Sequence, residues 1–430
     1  MTLLSEKTNM KLIITTLALL ISGLLSAQIT QQRMLDDPKN GAGIYRPYFS
    51  DRGGQTYSEP LKGYRPFYIS HFGRHGSRYF SGPHNMKPTL DCFEAAKAEG
   101  LLTARGDSLY SAIAAIHAEH VGMYGELAPL GGREHRGIAS RMYEREKPVF
   151  TSGKRTAVRS ISSIYPRCLV SMANFTEELS SHAPSLDITY LAGKRYNDAY
   201  ISARTSDEFM PEVGRITDSL RRSTFHPETL FAQYFTDPQR MMGLVDDPYK
   251  VEMGLYYFWA IAFDLDFMNI DLTPLIPIEE LTACVAVGNA YRYAKVGLST
   301  EYGKYNSLKG ERLANDLLDK AQDALKEDSD VAADLRFIHD SGFTPLCTLL
   351  GLEGFPVFEV ERAHKEWNAA DVVPMCANLQ VIFYEAKGKD VLVKVLVNEK
   401  ESRISGLTPV QGVYYRWDDV SKKIESKLNN

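Results

Sequence analysis

Residues 70–80 read SHFGRHGSRYF, which places Arg74, His75, Gly76 and Arg78 within five consecutive positions. A phosphate dianion needs fixed positive donors, and the planar guanidinium fork meets its oxygens two at a time. Arg74 and Arg78 could supply two such forks, and Gly76 would let the backbone come close to a ligand. Two fixed positive charges disfavour a proton on the histidine between them, so His75 is expected as a neutral imidazole with a free lone pair. Such a ring can attack phosphorus once the arginines have offset the repulsion between nucleophile and dianion.

The alcohol that leaves then needs a proton. His339 and Asp340 follow an apolar run, and there Asp340 is the natural general acid, with His339 as a further phosphate donor. A carboxyl beside a bound phosphate is pushed toward its protonated form, which lets it donate. Water would hydrolyse the resulting phosphohistidine, with Asp340 acting as base. Arginines would do the charge work that Mg²⁺ does elsewhere, so neither a metal nor a cofactor is expected. The bland alternatives are a histidine that caps a strand end and a two-residue motif met by chance.

The elements around these residues decide whether they can meet. PFYISH (66–71) reads as a short apolar strand that ends at the RHG stretch, and DLRFIHD (334–340) as a buried strand that carries His339-Asp340 at its end. Between them lie helical stretches: 87–102, then 107–122 with Leu109, Ile113, Ile116 and His120 on one stripe, then a polar helix after a turn at Gly131-Gly132. VFTSGKR (149–155) reads as a strand followed by a turn. A helix over 311–328 shows Leu313, Leu317, Ala321 and Leu325 on one face. Thr344 and Pro345 look like the N-cap and first turn of a helix that stops near Gly351. Residues 378–398 make a hairpin about a Lys-Gly-Lys turn, and 28–62, without periodicity, reads as an extended lead-in. Strands separated by long helices imply a three-layer α/β/α sandwich with a mostly parallel sheet, in which ligands bind at the carboxyl ends of strands. From 165 to 305 the texture becomes aromatic and irregularly helical (FHPETLFAQYF, YYFWAIAFDLDFM), as an inserted α-helical cap would be. The core is then 28–164 together with 306–430. The aromatic richness of the insert is read mainly as cap core.

Composition limits the partners. With 44% hydrophobic and 24% charged residues, the chain of 430 is that of a folded protein with ample material for one large core. A net charge of -5 gives no global pull toward nucleic acid or an anionic membrane, so any anion site must be a local basic pocket. LIITTLALLISGLL (12–25), ending in Ser26-Ala27, is too short to span a bilayer comfortably and suits a signal peptide over 1–27. That leader implies a periplasmic or secreted bacterial protein with no membrane insertion after cleavage near Ala27. The five cysteines show no metal-ligand spacing and suit buried small hydrophobes as well as disulfides.

FGRHGSRY resembles the RHGxRxP signature of the histidine acid phosphatases, the branch of the histidine phosphatase superfamily that includes phytases and multiple inositol-polyphosphate phosphatases. ELAPLGGREHRGIASRMY is similar to a second segment of that family, TSGKRTAVRS to its serine- and arginine-bearing stretch, and FIHDSGFTPLCTLLGL to its HD segment. These blocks occur in family order between about 65 and 400. The resemblance implies His75 as nucleophile, Asp340 as proton donor, and Arg74, Arg78, Arg155 and His339 as phosphate ligands. It implies an α/β sandwich with a helical cap, no metal, and a small-molecule phosphomonoester as the partner.

Three departures stand out. Phe80 replaces the proline that closes the signature. The acid motif is HDS rather than the His-Ala-Glu of the inositol-polyphosphate branch, and His117-Ala118-Glu119 lies elsewhere, in the 107–122 helix, where it reads as coincidence. Where phytases often carry a lysine soon after the signature, SGPHN stands here, with Lys87 later. Phytate and sugar phosphates both remain open as substrates. So do a phosphotransferase or mutase, and a binding protein without catalysis.

Overall fold

The computed structural model describes residues 28, 30–48, 56–196 and 208–429. The expected leader over 1–27 lies outside them. Eight strands form one sheet: β1 (Arg65–Arg74), β2 (Ala157–Ser162), β3 (Asp187–Ala192), β4 (Val331–Ile338), β5 (Asn378–Glu385), β6 (Leu392–Val397), β7 (Lys400–Ser402) and β8 (Tyr414–Arg416). Their order is β3-β2-β4-β1-β5-β6-β7, with β8 also paired to β6. The first four in that order are parallel; β5 runs antiparallel to β1, and the rest of the ladder is antiparallel. The sheet is therefore mixed rather than mostly parallel. The antiparallel half begins with the hairpin expected over 378–398.

Both faces of the sheet are covered. Ile69, Val158, Leu335 and Phe337 pack with Ile138 and Met142 of α3 (Pro129–Arg145) and Phe175 and Leu179 of α4 (Pro166–His182). Phe67, Phe72 and Phe383 face the other way, into a cluster with Leu313 and Leu317 of α9 (Gly303–Ala324), Leu346 of α10 (Asp340–Leu350) and Val420 of α11 (Trp417–Leu428). Burial on both faces explains why β1 and β4 read as nearly unbroken apolar runs.

Register places the chemistry. Arg74 lies opposite Ile338 across the parallel β1–β4 pair, and Ser162 lies opposite Phe337 across β2–β4. Three strands thus end level with one another. The ladder carries one step further, because the His75 N–H donates to the Ile338 carbonyl at 3.0 Å. Residues more than 260 positions apart in the chain become neighbours at one strand edge.

Four sequence expectations shift. VFTSGKR is not a strand: Lys147–Thr151 is a short helix opened by Pro148, Gly153 turns at φ 69°, and the strand is β2, beginning at Ala157. The helix after β4 begins at Asp340, with His339 as its N-cap and Pro345 inside it, and ends at Gly351 in the left-handed region (φ 71°). The cap does not begin at 165, since α4 packs on the sheet and β3 is its edge strand. The lead-in is not simply extended: two 3-10 turns, Pro38–Gly41 and Gly43–Tyr45, lie against the rest of the protein, and the Arg46 carbonyl accepts from the Met375 N–H at 2.8 Å.

The cap comprises α5 (Met210–Thr224), α6 (Pro227–Tyr234), α7 (Pro248–Ala262) and α8 (Ile278–Val296), joined by α1 (Lys87–Ala98) and α2 (Ala104–His120) from before the insertion. Phe93 of α1, Trp259 of α7 and Leu281 of α8 belong to the same apolar cluster as Leu313 and Phe343. As expected, Phe258, Trp259 and Ile261 are buried as cap core.

Candidate active site

The turn after β1 is held from every side. The Ser77 N–H and hydroxyl both donate to the buried Glu134 carboxylate, at 2.8 and 2.9 Å, and the Gly76 N–H donates to Ser171 Oγ at 3.2 Å. Gly76 is needed for packing more than for ligand approach: a Cβ there would lie 2.6 Å from the Cα of Gly131, in the first turn of α3. Gly131 in turn has no room for a Cβ, which would meet the Ser77 carbonyl at 2.4 Å. Two facing glycines let helix and loop touch backbone to backbone.

Arg74 is fully buried, and one of its terminal nitrogens donates to the carbonyls of Ile44 and Val373, both at 2.8 Å. Bonds from a charged donor contribute about 1.5–3 kcal/mol each. This guanidinium is fixed by backbone, including that of the lead-in. Burial brings its pKa down to about 10, against the opposing pull of the Asp340 carboxylate. Arg78 donates to the Tyr79 carbonyl at 2.7 Å, and its guanidinium lies 5.7 Å from the centre of the Tyr45 ring.

His75 is buried, and its Nδ1 lies 3.0 Å from the Gly76 carbonyl. A carbonyl can only accept, so Nδ1 carries the hydrogen and Nε2 keeps its lone pair. Burial holds the pKa of His75 well below its ordinary value, and Arg74, Arg78, Arg167 and His339 push it further down. The neutral ring expected between two arginines is thus neutral first through burial and then through charge.

His339 faces it edge-on, with ring centres 5.5 Å apart. Its Nδ1 lies 3.4 Å from Arg167 Nη2 and its Nε2 3.0 Å from Ser163 Oγ. Arginine can only donate, so the proton of His339 is on Nε2. Burial, then Arg167, bring its pKa down to about 3. Asp340 begins α10, where a helix N-terminus favours negative charge. Burial alone would raise its carboxyl; Arg292, Arg74, His339 and Arg78 outweigh that and hold it well below the usual carboxylate range.

Arg155 does not join this cluster. It donates to the carbonyls of Ala324 and Val331 and lies 4.9 Å from the Phe67 ring, at the amino ends of β1 and β4. At about 3.3 Å per residue, the length of β1 puts it roughly 25 Å from His75. The third arginine at the site is Arg167, in the first turn of α4, directly after the carboxyl end of β2. A signal for it existed: SSIYPR is a strand end followed by a proline-opened helix. The resemblance of TSGKRTAVRS to the family's arginine-bearing stretch pointed instead to Arg155, which lies before β2 rather than after it. Arg167→Ala is therefore expected to lower kcat/KM for any phosphomonoester by about a hundredfold, on the scale of one lost charged transition-state donor, while Arg155→Ala leaves kcat and KM near wild type. Steady-state kinetics of the two variants side by side checks this, and a large loss in Arg155→Ala would contradict the geometry.

The cap supplies a fourth arginine with no sequence signature. Arg292 of α8 reaches down to Asp340, Nη1 to Oδ2 at 2.9 Å. It also lines a cavity of about 220 Å³ together with Lys295, His84, Tyr45, Tyr257 and Tyr291. Lys87 is elsewhere, paired with Asp91 at 2.6 Å. The His-Ala-Glu triplet is also elsewhere: Glu119 accepts from Tyr79 and His117 meets Tyr124. All five cysteines are buried free thiols, and no group of His, Cys, Asp and Glu among the described residues could hold a metal ion.

Four guanidinium groups and two neutral imidazoles around one carboxylate, at the level carboxyl ends of three parallel strands beneath a helical cap, define an anion site with an imidazole lone pair beside it. The family model for the histidine phosphatase superfamily (branch 2) matches residues 191–398, a span that takes in His339 and Asp340. Over that span the chain resembles that superfamily, in agreement with the resemblance read from its motifs. No curated protein sequence matches it. Among solved structures, it is similar to the Bifidobacterium longum multiple inositol polyphosphate phosphatase in complex with inositol hexasulfate, at 19% identity and a TM-score of 0.75 over 90% of this chain and 97% of that one. It is similar to the phytase from D. castellii at 13% identity and a TM-score of 0.65, over 91% of this chain and 85% of that one. The Hafnia alvei phytase in complex with myo-inositol hexakis sulphate follows at 10% identity and 0.55, over 86% and 98%. At these identities the likeness is one of fold.

Proposed function

We propose that this protein is an exported phosphomonoester hydrolase that works through a phosphohistidine, with myo-inositol polyphosphates as its substrate class. The observation that carries the reading is His75: neutral, fixed through Nδ1, its Nε2 lone pair available among Arg74, Arg78 and Arg167. In the proposed reaction Nε2 attacks phosphorus as the P–O bond to the alcohol breaks. Asp340 gives its proton to the leaving oxygen. Water then attacks the phosphohistidine, its proton returns to Asp340, and the N–P electron pair returns to Nε2. Arg74, Arg78 and Arg167 hold the phosphoryl oxygens throughout, and their charge is worth most where it meets charge that develops in the transition state. His339, read from the sequence as a further phosphate ligand, braces Arg167 through Nδ1 instead.

The polyphosphate class is supported by Arg292 and Lys295 along the cavity next to the phosphoryl site, two cations beyond the arginines that one phosphate needs. Two of the similar folds, the Bifidobacterium longum phosphatase and the Hafnia alvei phytase, are seen with inositol hexasulfate bound, which agrees with that class. Export rests on the apolar run at 12–25 and its small-residue end; among the described residues no helix is long and apolar enough to cross a membrane.

The test is phosphate release from phytate and from glucose 1-phosphate across pH 3 to 8, with EDTA present. Turnover of phytate with the higher kcat/KM is the expected result. Turnover only after metal is added would count against the phosphohistidine route, and preference for the sugar monophosphate would remove the polyphosphate class. Phosphate binding without any turnover would leave a binding protein on this fold.

A further inference from the structure

Asp340 poses a problem for its own proposed role. A general acid must be protonated when the alcohol leaves, yet this carboxylate faces Arg292 from α8, Arg74 and Arg78 from the turn after β1, and His339 beside it. Three of these four belong to the core around the phosphoryl site. Arg292 comes from the cap, and its side chain, like that of Asp340, keeps some exposure (18% and 12%). Its Nη1 stands 2.9 Å from Oδ2, yet that oxygen has no aligned hydrogen-bond donor. The contact is a close ion pair without directional bonding, which a stronger anion can displace. Lys295, one turn further along α8, lines the same cavity, so an anion drawn there meets two cations on one helix face.

We infer that Arg292 is a positioning residue that makes the general acid respond to the substrate: a second phosphate next to the scissile one draws Arg292 off Asp340 and frees that carboxylate to take up the proton it will donate. This rests on the hydrolase reading above. The proton comes from solvent as Arg292 changes partner, and it passes to the leaving oxygen as the P–O bond breaks. A monophosphate lacks the displacing anion, so Arg292 stays on Asp340 and the poor leaving group departs slowly. Discrimination then lies in kcat as well as in binding.

The test compares a myo-inositol bisphosphate carrying adjacent phosphates with a myo-inositol monophosphate, at saturation and across pH 4 to 8, in the wild-type protein and in Arg292→Gln and Arg292→Lys. In wild type the bisphosphate is expected to show the higher kcat by about tenfold, part of the range that general-acid help covers. In Arg292→Gln that ratio falls toward one because kcat for the monophosphate rises, and the limb of its pH profile that falls with rising pH moves upward. Arg292→Lys restores part of the ratio. Equal wild-type kcat values overturn the inference without any variant, so a misfolded Arg292→Gln does not rescue it. Equal losses of kcat/KM on both substrates in Arg292→Gln, with the pH limb in place, also overturn it, since a plain phosphate contact behaves that way. Phosphate release from neither substrate by wild type would overturn the hydrolase reading itself, and this inference with it.

Discussion

His75→Ala should release phosphate from no substrate, with kcat down by roughly 10⁴–10⁶-fold, the scale on which loss of a covalent nucleophile is felt. No neighbour can take over. His339 is committed through both ring nitrogens, to Arg167 and Ser163, and the nearby Cys168 thiol is pushed up to about 12 by burial. The arginines stay in place, because Arg74 is anchored on backbone carbonyls rather than on the imidazole. The variant should therefore still bind inorganic phosphate in a calorimeter while turning over neither phytate nor p-nitrophenyl phosphate. Turnover above a few per cent of wild type, with phosphate binding intact, would remove His75 as the nucleophile.

The second large effect is selective. Asp340→Asn should slow hydrolysis of glucose 1-phosphate by about 10²–10³-fold, within the range general-acid catalysis covers, because a sugar alkoxide cannot leave without a proton. p-Nitrophenol is a far better leaving group, so its ester should lose much less. Wild-type rates on the sugar phosphate should fall as pH rises, since only the protonated carboxyl donates and its surroundings favour the ionised form. That limb should disappear in Asp340→Asn. Equal losses on both esters would mean that Asp340 holds substrate or structure and does not donate.

Much of this site was legible in the sequence, for reasons of locality. Arg74, His75 and Arg78 sit in one turn, and His339-Asp340 in another; each follows a run apolar enough to announce a buried strand. What brought the two turns together was the parallel pairing of Arg74 with Ile338, which a topology of strands and long helices already suggested. Arg167 was missed because the resemblance of TSGKRTAVRS pointed to Arg155, while the strand was read eight residues early, over a segment whose proline and glycine in fact make a short helix and a turn. Arg292 could not have been found that way. It is one arginine on a long helix of the cap, and only tertiary packing points it at Asp340. The lead-in was also opaque: its value lies in carbonyls, such as that of Ile44 on Arg74, and a backbone group leaves no residue signature.

The apolar cluster that runs without a break from the cap into the layer beneath the sheet bears on inheritance as much as on mechanism. A lid that opened on a hinge would need its own separate core. Here Trp259 and Leu281 share theirs with Leu313 and Phe343, so cap and core gain or lose order as one cooperative unit. A change such as Trp259→Ala, worth about 3–5 kcal/mol of lost packing, would thin the population of folded molecules and leave each survivor's chemistry intact. Variation in the cap core is therefore filtered by abundance, and only residues on its inner surface, Arg292 and Lys295 among them, are free to be selected for what the protein accepts.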